Sequence, residues 1–250
     1  MPVAGRKTRV LCNEFDLSGY FKTAEINGEA TVLDATVFLS SEKEYVPDLA
    51  EGSASLSGLW AADQFDVVNN PTGLSNKVDD VLAPILGVDT DQLFLIGLEG
   101  LASFGLRVRM FQGKETKYSV QSPMNNLVSA MAEVKADGSI LSGVLLAHQV
   151  ARSASANGSD SDNGVATSLG AKAQIHCTAA SAGDTLDVII EDSADGVSWA
   201  TIGTFTQLTG VGSQLISIAG TVREHVRASW TIAGTGPSFT FVVAFARNRS

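Results

Sequence analysis

Short runs of β-branched and aromatic residues, broken every few positions by Gly, Asp, Asn or Ser, recur along almost the whole chain and restrict it to β-structure. Candidate strands in the first part are Thr8–Cys12, Ala30–Phe38, Ala54–Trp60, Gln92–Leu98, Gly105–Phe111 and Lys117–Val120. In Met131–Leu146 two runs flank Ala136-Asp137-Gly138-Ser139, and Asp-Gly tolerates the positive φ of a tight turn, so a hairpin is expected there. Further runs follow at Ala173–Ala179, Thr185–Glu191, Trp199–Gln207, Ser213–Ala219, His225–Ile232 and Ser238–Ala246. Their spacing predicts a small antiparallel sandwich. Phe239, Phe241, Val243 and Phe245 alternate onto one face, as do Val226, Ala228, Trp230 and Ile232, with Arg227 and Ser229 pointing the other way. Asp192-Ser193-Ala194-Asp195-Gly196 then forms the turn ahead of Trp199.

One stretch breaks the pattern. Val78, Val81, Leu82, Ile85 and Leu86 recur at helical spacing within Ser75–Leu86, with Ser75 placed to cap and Gly87 to stop. Pro84 should kink the last turn or end the regular helix early. Composition shifts again at Ala151–Gly170, where ARSASANGSDSDNGVATSLG has almost no large apolar residue and reads as a flexible linker or long exposed loop. The expected organisation is thus an all-β chain: a β-domain over 1–150 with one short helix, a linker over 151–170, and a C-terminal antiparallel sandwich over 171–250.

At 250 residues and 44% hydrophobic content, a core can form without staples. The sparse cysteines, Cys12 and Cys177, fit a reducing cytoplasm better than a disulfide framework. The first ten residues lack the apolar core of a secretory signal, and no apolar run reaches the roughly 18 residues of a membrane span, so a soluble protein is expected. A net charge of −10 opposes binding to a phosphate backbone, although nucleic acid could still slide past such a surface.

Catalysis finds little raw material. His148, His176 and His225 all sit in or beside predicted strands, where packing or surface roles are expected. No nucleophile elbow, H-E-x-x-H pair, phosphate-binding loop or complete G-x-G-x-x-G occurs, and Gly210-Val211-Gly212 reads as a turn. Carboxylates adjoin at Glu42–Glu44, Asp79–Asp80, Asp89–Asp91 and Asp160–Asp162, where solvation accounts for them; the last set has the wrong spacing for a calcium loop. No cofactor, metal site or enzymatic activity is expected. Arg107 and Arg109, with Arg223, Arg227, Arg247 and Arg249, read as ordinary solvated faces.

Leu33-Asp34-Ala35-Thr36-Val37-Phe38, then Lys43-Glu44-Tyr45-Val46-Pro47-Asp48-Leu49, then the Ser53–Gly58 strand, resemble the tail tube (major tail) proteins of long-tailed bacteriophages, especially those of actinobacteriophages. Asp48 departs from the glycine usual in that pattern. The likeness extends through Asn13–Phe21, Ser119–Leu146 with its Gly143–His148 strand, Gly220–Ala228 and Gly236–Phe241.

The resemblance implies a virion protein, assembled in the host cytoplasm, whose tail-tube β-sandwich or barrel joins others as hexameric rings. Those rings stack into a tube through which ejected DNA passes without specific binding. Its implied partners are further copies of itself, the tail terminator and tail tip proteins and the tape measure protein, with no membrane. Within Phe38–Glu51, a long charged loop between two strands, Ser41, Glu42, Lys43, Glu44 and Tyr45 are the candidate ring-stacking contact. The rival expectation is a virion decoration or adhesion protein whose C-terminal sandwich binds a carbohydrate or partner surface, with Trp199 and Trp230 as stacking platforms.

Overall fold

The computed structural model describes residues 5–37, 41–62 and 77–248. In chain order its strands are β1 (Arg9–Cys12), β2 (Phe15–Asp16), β3 (Phe21–Asp34), β4 (Tyr45–Leu59), β5 (Gln92–Gly97), β6 (Arg107–Gln121), β7 (Ser129–Ala136) and β8 (Leu141–Arg152). They continue with β9 (Ala156–Asn157), β10 (Ser161–Asp162), β11 (Ala171–Ala180), β12 (Thr185–Ser193), β13 (Ala200–Thr204), β14 (Gly212–Ile218), β15 (His225–Ala233) and β16 (Phe239–Arg247). The described pairings are antiparallel, and the fold is all-β with one short α-helix, as expected. That helix, α1 (Val78–Leu82), passes into a 3-10 turn over Ala83–Ile85. Pro84 lies in the first turn of the 3-10 segment, where its missing N–H is not needed, and Gly87 ends the segment with φ of 72°. Ser75, the expected cap, lies outside the described residues; Lys77 occupies the cap position.

Two compact units emerge, one made of Met1–Gly19, Leu93–Met110 and Leu141–Ser250, the other of Tyr20–Gln92 and Phe111–Ile140. The boundaries do not coincide with the expected division at 151–170.

The first is a sandwich unit. One sheet runs β14-β11-β16-β8 and faces a second of β13, β12 and β15, with β9 and β10 added along β15. Between them lies a core of Ile175 and Cys177 from β11, Leu186, Val188 and Ile190 from β12, Val226, Ala228 and Trp230 from β15, and Phe239, Phe241, Val243 and Phe245 from β16. The expected alternation is therefore present, but β16 goes further. Its other face, Val242, Ala244 and Ala246, packs with Leu11, Leu95, Val108, Met110 and Leu145, so the strand is buried on both sides. Such a strand reads as a near-continuous apolar run, as FTFVVAFA does.

Residues 151–170 are mostly exposed, yet they are tied to the sandwich by backbone bonds. β8 extends to Arg152 and pairs with β16; Ala156 and Asn157 pair with Trp230 and Ser229; Ser161 and Asp162 pair with Val226 and His225. Thr167 and Val222 exchange N–H···O bonds of 2.9 and 2.8 Å. The sandwich thus begins at β8, before residue 171. Small polar side chains hide this because the pairing uses only main-chain atoms.

The second unit holds residues 111–121 of β6 paired with β7, then β4, then β3. Gly52, Ala54, Leu56 and Gly58 of β4 and Ala130, Ala132 and Val134 of β7 alternate inward, and α1 lies against β7 with Val78, Val81 and Leu82 buried. Gly58 cannot be replaced, since a Cβ there would sit 2.1 Å from the Tyr20 carbonyl oxygen.

The hairpin expected across Met131–Leu146 does not form. Gly138 does adopt φ of 86°, but the Asp137 N–H donates to the Gln112 carbonyl at 2.8 Å, which prolongs the β6–β7 ladder. β7 pairs with β4 and β6, while β8 pairs with β6 and β16. Gly105–Phe111 and Lys117–Val120, read as two strands, fall in the single strand β6 from Arg107 onward.

Candidate assembly surface

β3 and β4 outrun the rest of their sheet. β7 accompanies β4 only from Leu59 back to Ser53, yet β3 and β4 stay paired with each other out to Asp34 and Tyr45. From Glu29 outward the described residues of this two-stranded arm are exposed on both faces. A two-stranded ribbon is marginal by itself in water. The arm nevertheless carries large apolar side chains, with Val32, Leu33, Val37 and Tyr45 each more than half exposed at 56, 57, 65 and 54%. Alternation cannot hide them, because among the described residues nothing covers either face.

The tip is closed by local bonds. Asp34 Oδ1 accepts the Thr36 N–H at 2.9 Å, the Glu44 N–H donates to Thr36 Oγ1 at 3.1 Å, and the Ala35 N–H donates to the Glu44 carbonyl at 2.9 Å. The Thr36 hydroxyl and amide bonds hold the Asp34 carboxyl below the usual carboxylate range. Ser41, Glu42, Lys43 and Glu44 lie exposed in this tip, and Tyr45 opens β4 beside them. Residues Tyr45–Glu51, assigned from the sequence to the loop, are strand; Phe38 lies outside the described residues.

β3 is also an open edge. Among the described residues no strand other than β4 pairs with this fourteen-residue strand. Such an edge is a template for another strand. Register shifts between Phe21 and Thr23 and between Ala30 and Val32, with exposed Lys22, Glu25 and Glu29, restrict which strand can join.

The other sequence candidates are dispersed. His176 is wholly buried, donates Nδ1–H to the Asn13 carbonyl at 2.6 Å, and has Nε2 3.3 Å from the Gln174 carboxamide. Burial pushes it down to about 4, so it is neutral and structural. His225 is bonded through Nδ1 to Asp160 at 2.7 Å, which raises its pKa, while burial and Arg152 lower that of His148. Cys12 and Cys177 are both buried and are not joined in a disulfide. Among the described residues no three His, Cys, Asp or Glu side chains are grouped to hold a metal, and no helix is long and apolar enough to cross a membrane.

Both tryptophans proposed as platforms are occupied. Trp230 is buried against Phe241, donates Nε1–H to the Ala154 carbonyl at 3.2 Å, and is capped by Arg152; Trp199 is covered by the Arg227 guanidinium at 4.1 Å. Arg227 also pairs with Glu191 at 2.8 Å, and Arg247 donates to the Thr167 hydroxyl and the Val222, Arg223 and Glu224 carbonyls. A groove of about 430 Å³ beside Arg247 is lined by Arg107, Ser142, Ser161, Asp162 and Asn163.

Sequence reasoning missed Glu115. It is 2% exposed, neither carboxylate oxygen has a hydrogen-bond partner among the described residues, and burial pushes it up to about 8. Nearby, Tyr118 donates its hydroxyl to Asp79 at 2.8 Å, and burial pushes that phenol up as well. The KETKY segment looks like a solvated face, and only its alternate burial in β6 reveals the carboxyl.

No family model and no curated protein matches the chain. Among solved structures, a chain from the virion of a native gene transfer agent particle aligns with 14% identity and a TM-score of 0.39, over 56% of this chain and 97% of that one. A chain from the tail of an empty gene transfer agent particle aligns with 13% identity and a TM-score of 0.38 over the same shares. The Dit protein of phage SPP1, described as a hub of the adsorption apparatus, aligns with 13% identity and a TM-score of 0.37, over 97% of this chain and 99% of that one. Likenesses at this level carry no functional weight.

Proposed function

We propose that this chain is a structural virion subunit, a tail tube protein of a long-tailed phage, that forms six-membered rings stacked into a conduit for DNA ejection. The observation that carries this reading is the arm. A ribbon whose described residues are exposed on both faces, which bears four large apolar side chains and whose outer strand pairs with β4 alone among the described residues, is completed when other copies cover it. Edge pairing between copies supplies the ring, and the tip, Ser41–Tyr45, supplies the contact between rings. The resemblance of Leu33–Phe38 and Lys43–Leu49 to the tail tube pattern supports the same reading.

Stacking of this kind is heterologous and does not close, so it gives an open filament. The net charge of −10 suits a lumen past which DNA must slide without sticking, since phosphates are repelled within about 8–10 Å at physiological salt. Terminator, tip and tape measure proteins would meet the ends and interior of such a tube.

Negative-stain microscopy of the purified protein at rising concentration tests this directly. Six-fold rings or tubes are expected; a chain that stays a compact monomer at high concentration overturns it. Removing Ser41–Glu44 should leave rings and abolish stacking, so abundant intact tubes from that variant would refute the role of the tip.

A further inference from the structure

Strand register places two exposed apolar features at opposite ends of the same sheet. The arm tip lies beyond the Ser53↔Lys135 pair. At the far end, Leu59 pairs with Ser129 and Gln121 pairs with Ser129, so the β6–β7 turn projects there beside Trp60 and the start of β3. That turn, residues 122–128, presents Met124 at 98% and Leu127 at 63% exposure, with Val120 and Trp60 also exposed. A methionine left almost fully in water is poorly used in an isolated subunit, and its flexible thioether suits an adaptable contact.

Charge distinguishes the two ends. From Asp34 to Glu44 the tip carries Asp34, Glu42 and Glu44 against Lys43 alone. The turn 121–128, QSPMNNLV, has no charge; around it, among the described residues, Lys22 and Lys77 are balanced by Asp79 and Asp80, and Asp79 is engaged by Tyr118. Two tips would repel each other, whereas a tip meeting the turn end brings apolar surface together without that cost.

We infer that the arm tip of one copy seats on the β6–β7 turn of the next, Val37 and Tyr45 packing against Met124 and Leu127. This rests on the assembly reading above and specifies what receives the arm. Because donor and acceptor sit at opposite ends of one sheet, each copy uses one of each, and the contact propagates in a single direction.

Cysteine cross-linking tests the contact. The native thiols are buried, so V37C and M124C, both at exposed positions, add reactive ones. Mixed single variants should give a disulfide heterodimer under mild oxidation, and the double variant a covalent ladder within tubes; V37C mixed with V197C should give neither. Tubes that form with no V37C–M124C product overturn this inference and leave the assembly reading standing. Failure to form any ordered polymer removes both. Charge at the turn gives a second readout: M124E should raise the concentration needed for tubes by about tenfold or more, while M124K should not. Equal impairment by both, with single rings unaffected, would mean that the acidic tip does not face Met124.

Discussion

The two units use the same strand alternation to opposite ends. In the sandwich unit β16 hides both faces, and even the exposed 151–170 segment is tied down by backbone bonds along β15 and to Val222. In the other unit β3 hides almost nothing beyond Ile26, and among the described residues it pairs with β4 alone. One region buries its strands within a single chain, while the other holds an element whose large apolar side chains Val32, Leu33, Val37 and Tyr45 are more than half exposed. The contrast teaches that stability and assembly are separable here, and mutations should divide accordingly.

The largest effect on stability belongs to the sandwich. Phe241 is fully buried and edge-on to Trp230 at 5.7 Å between ring centroids. Phe241→Ala should cost about 3–5 kcal/mol, read as a lowered denaturation midpoint. A change below 1 kcal/mol would break the claim that this core dominates.

Glu115 is the next lever and belongs to the arm-bearing unit. Its folded pKa of about 8 exceeds the ordinary carboxyl value, so between the two the folded state holds a proton that the unfolded state has released. Stability from this group is therefore fully present at acid pH and is lost as pH rises toward 8. Glu115→Gln should stabilise the unit at pH 8 by an amount on the order of a few kcal/mol and flatten this pH dependence. Hydrogen exchange in β6 and β7 at pH 6 and 8, corrected for intrinsic rates, would show it; an unchanged pH response would refute the buried carboxyl.

His176 makes the opposite prediction for the sandwich. Its folded pKa, near 4, lies below the ordinary imidazole value, so the unfolded state binds the extra proton. Its contribution is present above about pH 6.5 and is lost as pH falls toward 4. Substituting His176→Gln should make protection of β11 and β16 less sensitive to acid, at some loss of stability at neutral pH from the broken bond to Asn13. Acidification should thus loosen one unit through His176 and tighten the other through Glu115. A uniform response in both would mean that His176 and Glu115 do not set the pH dependence of their units.

Legibility followed burial by side chains. The six C-terminal runs became β11 to β16 because apolar residues alternate there, and α1 followed its three- and four-residue spacing. Residues 151–170 looked like a linker because their pairing is made by main-chain atoms, which composition does not report. The Asp137-Gly138 turn was recognisable, but which partners its flanking strands choose depends on distant Gln112 and Phe245. At the candidate site the charged tip stood out, while Tyr45–Glu51 did not read as strand because Pro47 and Asp48 usually mark a loop. The apolar character of the arm was invisible until both faces proved open, and Met124 was hidden in an uncharged turn that draws no attention.

The smallest effect on the monomer should come from the arm itself. Tyr45 is more than half exposed and begins β4 where only β3 accompanies it, so Tyr45→Ser removes little that the isolated chain buries. Its denaturation midpoint should match the parent within about 0.5 kcal/mol, as for other surface changes. If the chain assembles as proposed, sedimentation should nevertheless show a marked loss of long polymers relative to the parent, because the lost apolar contact would be one made between copies. A Tyr45→Phe variant, which keeps the ring, should restore polymer; failure to do so would assign the role to the hydroxyl. If Tyr45→Ser instead destabilised the monomer by as much as Phe241→Ala, the arm would be part of a packed core and the division between the two units would fail.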